Sequence, residues 1–166
     1  MYAAAALWLA AAGGARAQTT PANALAPSAP LPDALVSTEL LASTITAIDH
    51  ADKTGNYTVL LALGSARFRA NNSAASLGAA FSVFRTRQID LAEVLILSPT
   101  YEIVPTIVQP NLLRMRGSFQ LTRGPVGFDF LFGWDNGWRL DGVLLTPPPV
   151  PLAATGAKPS PNPPRR

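Results

Sequence analysis

Asp129 stands between Phe128 and Phe130, and a carboxyl buried among aromatic rings keeps its proton toward neutral pH, as a general acid must. Tyr101-Glu102 is the second candidate pair: Tyr101 alternates with Ile103 toward one face of a strand, and Glu102 falls on the other. The single histidine, His50, sits beside Asp49 and Asp52 near a helix C-terminus. There the dipole and the acids both favour its protonated, poorly basic form, so it reads as a surface residue. The chain has no cysteine, no acid and histidine cluster at metal-ligand spacing, no Gly-rich phosphate loop and no Ser-His-Asp set. The pattern argues against a metal or redox enzyme and calls for no cofactor and no metal. Gly124-Pro125-Val126-Gly127 and Ser76-Leu77-Gly78 are explained by tight turning and close helix packing.

The elements that position these residues change period once. Asp33 caps a first helix with Leu41, Ile45 and Ile48 on one face, ended by Gly55. A short helix fits Tyr57 to Leu63. A third carries Ala74, Leu77, Phe81 and Phe84 at i, i+3, i+7 and i+10 behind Asn72 or Ser73. From Ile89 the residues turn β-branched and aromatic, with strands over Thr100–Val108, Leu112–Thr122, Val126–Trp134 and Trp138–Leu145. Gln109-Pro110-Asn111, Arg123-Gly124 and Asp135-Asn136-Gly137 supply the turns. Helices first and an antiparallel meander after is an α+β arrangement.

Register follows from the turns, because a slip of one residue moves every side chain to the other face. A two-residue turn at Arg123-Gly124 sets Phe119 against Phe128, Gly117 against Phe130 and Met115 against Phe132. A three-residue Asp135-Asn136-Gly137 loop sets Phe132 against Leu140 and Phe128 against Leu144. One face is then apolar, and the other carries Arg114, Arg116, Ser118, Asp129, Leu131, Arg139, Asp141 and Val143, with Arg116, Leu131 and Asp141 in one row. On that face Asp129 meets Ser118 directly and Arg116 diagonally, which weighs a structural ion pair against a catalytic acid. Leu131, Val143 and Leu145 between complementary charges also suit an interface, which predicts a homodimer through the outer sheet face.

Both ends differ from this middle. Tyr2 to Gly14 is an apolar run too short for a membrane span, followed by Ala15-Arg16-Ala17, which reads as residues 1–17 of a signal peptide. Residues 18–32 read as a Pro/Ala-rich linker, residues 33–146 as the domain and residues 147–166 as a Pro-rich disordered tail. The expectation is a periplasmic or secreted chain with no stable membrane anchor. With Arg16 gone, 12 of the 13 basic residues face 10 acidic ones, dispersed along the chain, and this small excess argues against a nucleic-acid partner.

The Gly55-Asn56-Tyr57 junction, the helical Phe81-x-x-Phe84-Arg85, Ile89-Asp90-Leu91 and the closing Asp135-x-Gly137-Trp138-Arg139-Leu140 resemble the nuclear transport factor 2-like (SnoaL-like) superfamily. The likeness covers about Leu35 to Thr146, and the Ile89-Asp90-Leu91 and Gly137-Trp138-Arg139-Leu140 blocks are similar to those of exported proteobacterial domains of that kind. It implies a cone-shaped fold, with Tyr57, Phe68, Phe81, Phe84, Tyr101, Phe130 and Trp138 lining a pocket between the helices and a concave sheet. It also implies an exported, non-catalytic domain that binds a small apolar ligand or serves as an envelope interaction module. The alternative is an isomerase- or dehydratase-like enzyme using Asp129 or Tyr101 in the pocket.

Overall fold

The computed structural model describes residues 29–150. The proposed leader, most of the linker and residues 151–166 lie outside them. Helices come first and a four-stranded antiparallel meander follows, in the order β1-β2-β3-β4, so the chain is α+β as its change of period predicts. Among the described residues no helix is long and apolar enough to cross a membrane.

Helix α1 spans Ala34–Thr54. Asp33 accepts from the Val36 N–H at 2.8 Å, and Gly55, at φ 77°, ends the helix in the left-handed region that glycine adopts without strain. Leu41, Ile45 and Ile48 are at most 1 % exposed and form the buried stripe. Four short helices follow: α2 (Thr58–Leu63), α3 (Ala66–Asn71), α4 (Ala74–Ala80) and α5 (Ser82–Thr86). The single third helix expected from the Phe81 and Phe84 spacing is divided at Phe81, whose backbone leaves helical geometry. Helix α3, capped by Ser65, was not expected, and a 3-10 turn over Leu91–Ile96 occupies what the β-branched composition suggested was the approach to a strand.

The strands are β1 (Thr100–Gln109), β2 (Leu112–Leu121), β3 (Gly124–Trp134) and β4 (Trp138–Thr146). Their register departs from expectation in two places. The β2–β3 turn is Thr122-Arg123, so Phe119 opposes Val126, Gly117 opposes Phe128 and Met115 opposes Phe130. Glu93 holds that turn in place, its carboxylate accepting from the Thr122 N–H at 2.7 Å and hydroxyl at 2.9 Å. The slip is of two residues, which preserves the face of every side chain.

In the β3–β4 pair Phe132 opposes Leu140 as expected, but a bulge at Asp141 then sets Phe130 against Val143 and Phe128 against Leu145. Leu145 therefore turns into the core, and Leu144 takes the outer position. Arg116, Leu131 and Asp141 do not share a row, since Leu131 opposes Arg114 and Gly142. The bulge releases Asp141 to bind α3: its carboxylate accepts from the Ser65 hydroxyl at 2.5 Å and pairs with Arg67. Beside it the Ser65 N–H donates to the Leu140 carbonyl at 2.7 Å, so part of the β4 edge is covered.

Candidate functional site

The layer between helices and sheet is filled by side chains. Leu113, Met115, Phe128, Phe130 and Phe132 are each at most 2 % exposed, and Phe128, Phe130 and Phe132 form one run of tilted and edge-on rings. Tyr101 joins that run edge-on to Phe128 at 6.0 Å, and burial raises its phenol above the ordinary value. Tyr57 stacks on Phe81 at 6.2 Å, and Phe81 leads on to Phe84 at 6.4 Å. Phe68 is buried under α3, against the backbone of Gly64. Trp138 lies at the far end of the sheet, edge-on to Trp134 and beside a hollow of about 120 Å³ that it shares with Leu40, Thr44 and Phe132. The seven residues suggested as pocket lining thus fall into a helical group, a strand group and Trp138, all packed in or against the core.

Asp129 lies on the opposite side of the sheet. It faces Arg116 directly, while Ser118 faces Gly127, which corrects the expected neighbours by the two-residue slip. Its carboxylate is gripped by Arg114, from Nε at 2.9 Å and Nη2 at 2.5 Å, and Arg116 Nη1 stands 3.9 Å away. A two-point guanidinium grip is the geometry of a charge-assisted structural pair. Glu102 joins the same face, accepting from Arg116 Nε at 2.8 Å. Around these pairs stand Val104, Val108 and Leu144, exposed by 63, 45 and 59 %. Val108, Leu112, Arg114, Asp129, Leu131, Val143 and Leu144 enclose a shallow hollow of about 510 Å³ on this face.

A second group gathers on the helical side. His50 is exposed on α1, away from it in role, its carbonyl accepting from the Thr54 hydroxyl at 2.7 Å. Asp49, Asp52 and Lys53 recur one helical turn apart and share a face of α1. Opposite them stand Phe84, Arg85, Gln88, Ile89 and Asp90, and the hollow between measures about 400 Å³. Lys53 donates to Asp49 at 2.8 Å and to Asp90 at 3.0 Å; these bonds raise the ammonium and lower the Asp90 carboxyl. The Tyr57 hydroxyl donates to Asp52 Oδ1 and accepts from Arg85 Nη1 at 3.4 Å. Burial raises the Asp52 carboxyl, and burial and the Asp52 contact together push the Tyr57 phenol up to about 12.

Sequence reasoning treated Asp49 and Asp52 only as neighbours of His50. The signal it passed over was their i, i+3, i+4 spacing with Lys53; the opposing wall, after α5, could be placed only by the fold. Comparison with protein-family models, with curated proteins and with solved structures gives no match for this chain.

Proposed function

We propose that the domain is an exported protein-interaction module whose working surface is the outer face of the sheet, and that its first partner is a second copy of itself. The observation that carries this is the exposure of Val104 and Val108 on one edge strand and Leu144 on the other, on either side of the Arg114–Asp129 and Arg116–Glu102 pairs. Exposed aliphatic groups supply the gain on burial, and charges of both signs on one patch can meet their opposites across a twofold axis. The filled layer between helices and sheet favours this reading over a pocket for a small apolar ligand. The Arg114 grip on Asp129 likewise favours a structural carboxylate over a catalytic one.

The same reading takes the domain as a relative of the nuclear transport factor 2-like superfamily, on the order of helices and meander and on the Gly137-Trp138-Arg139-Leu140 hairpin end. It takes residues 1–17 as a cleaved leader, so protein recovered from the envelope or the medium should begin at Gln18. Sedimentation equilibrium tests the interface. The wild type should be a dimer at micromolar concentration, and Leu144→Glu should give a folded monomer. A wild type that remains monomeric at high micromolar concentration removes the proposal.

A further inference from the structure

The tip of the β3–β4 hairpin, Asp135-Asn136-Gly137, lies beyond the ladder, which closes behind it at the Trp134–Trp138 pair. Asn136 is exposed and stands at φ +50°, and Gly137 follows at φ +155°. Among the described residues the Asn136 carboxamide makes no hydrogen bond and the Gly137 N–H finds no acceptor; the one bond within the tip runs from the Asp135 N–H to the Gly137 carbonyl at 3.0 Å. A Cβ on Gly137 would meet nothing within 4 Å, so the space beside its backbone is open. The other described asparagines are placed differently. Asn56 Oδ1 accepts from the Thr58 N–H at 3.1 Å and hydroxyl at 2.7 Å, Asn72 Nδ2 donates to the Phe68 carbonyl at 2.9 Å, and Asn111 Oδ1 accepts from the Ala29 N–H at 2.9 Å. Asn71 lies inside α3 and is followed by Asn72, not by glycine.

We propose that Asn136 is a site of spontaneous deamidation that rebuilds the hairpin covalently. The Gly137 nitrogen bonds to Asn136 Cγ, and the side-chain nitrogen leaves as ammonia, carrying the proton that the Gly137 N–H gives up. Water then adds to either carbonyl of the resulting succinimide and breaks one of its C–N bonds, which leaves aspartate or isoaspartate at position 136. Nothing is oxidised or reduced, and water is the co-reactant. Glycine suits the step because it puts no Cβ beside the attacking nitrogen. The nitrogen reaches Cγ when the tip rotates out of its resting form, and that motion breaks no rung of the ladder, only the bond from Asp135. Either product adds a negative charge beside Asp135. The isoaspartyl form also routes the main chain through an extra carbon, in a loop whose length sets the pairing of Trp134 with Trp138. The Trp134 N–H donates to the Asn111 carbonyl at 2.8 Å, so the change reaches the turn that holds Ala29.

The test is peptide mass mapping of the purified chain after incubation at neutral and mildly alkaline pH, in buffer and in urea. Position 136 should gain aspartate and isoaspartate in buffer, faster at the higher pH because the attacking nitrogen must lose its proton. Folding should slow Asn136 by less than about tenfold, and Asn56, Asn72 and Asn111 by about tenfold or more, since each of those must first break the bond that holds it. Asn136→Gln, whose longer side chain closes the ring far less readily, should remove the product. The isoaspartyl fraction, separated by anion exchange, should show an altered near-ultraviolet circular dichroism from the Trp134–Trp138 pair. No product at position 136 in buffer overturns the proposal, whatever urea gives. So does a folded chain in which Asn56, Asn72 or Asn111 reacts as fast as Asn136, or a product that persists in Asn136→Gln, which would place the chemistry at Asp135. An unchanged tryptophan signal in the isoaspartyl fraction overturns the rebuilding of the hairpin.

Discussion

Asp129 and Phe130 are neighbours in the chain and opposites in the sheet, and their substitutions should separate accordingly. Phe130 is fully buried between Phe128 and Phe132, so Phe130→Ala leaves a cavity and should cost about 3–5 kcal/mol in urea unfolding. Asp129 keeps a side chain 19 % exposed beside an Arg114 side chain 35 % exposed, and Asp129→Asn should cost under about 1 kcal/mol. The reverse ranking would mean that Asp129 is a buried acid. Its side of the sheet was legible from alternation alone, because parity survives a slip of two; its partner was not, because that depends on Glu93 reaching Thr122 from another element. Asp52 makes a prediction of a different kind. Burial raises its carboxyl above 3.8, so the stability tied to that proton is present below pH 3.8 and declines as pH rises through the folded value. Asp90, lowered by Lys53, has the other sign: its stability is present above pH 3.8 and is lost as pH falls through its lowered value. Urea midpoints across acid pH should show both limbs in the wild type. In Asp52→Asn only the Asp90 limb should remain, and an unchanged upper limb would contradict the assignment.

Long elements with caps announce themselves, and short ones do not. Asp33, the Leu41-Ile45-Ile48 stripe and Gly55 are all local to α1, and two-residue alternation between turn residues marks the strands. Helix α3 buries only Phe68, which is too little pattern to read, and the 3-10 turn is set by the Asp90 side chain accepting from the Ala92 N–H at 3.2 Å. The bulge in β4 was hidden for a related reason. One extra residue in a strand has no composition of its own, and what holds Asp141 there comes from Ser65 and Arg67, more than seventy residues earlier. The Asp141 side chain is 6 % exposed, and its carboxylate ties α3 to the sheet. Asp141→Ala should therefore cost about 1–3 kcal/mol by leaving the Ser65 O–H without an acceptor and breaking the Arg67 pair. Hydrogen exchange localises the effect: amides of Ala66–Asn71 should lose protection while those of β2 and β3 keep theirs. Uniform loss across the sheet would show that Asp141 holds the meander itself rather than α3.

At the scale of the whole chain, the boundary at residues 33–146 follows the periodic apolar pattern and stops where that pattern stops. The described chain reaches further, and it is fastened at both ends. The Ala29 N–H donates to Asn111 Oδ1 at 2.9 Å, and Ala29 is 8 % exposed. Pro148 is buried; its carbonyl accepts from Arg87 Nη1 at 2.7 Å. Its ring also lies over Gly124, where a Cβ would come within 3.2 Å of it and where φ of +113° already favours glycine. Extended Pro-rich segments have no period to betray such contacts, since they bind by backbone carbonyls and ring faces rather than by a repeating stripe. The bond from Arg87 is charge-assisted, and bonds of that class contribute about 1.5–3 kcal/mol. The reference for the comparison is a chain of residues 29–150. Trimming to residues 33–146 should lower stability by about 1–3 kcal/mol, a fall of several degrees in Tm for a domain of this size. Restoring Pro147 and Pro148 alone should recover most of the loss, and Arg87→Gln in the longer chain should reproduce it. Equal stability of the 33–146 and 29–150 chains would mean that the clasps form without stabilising the fold.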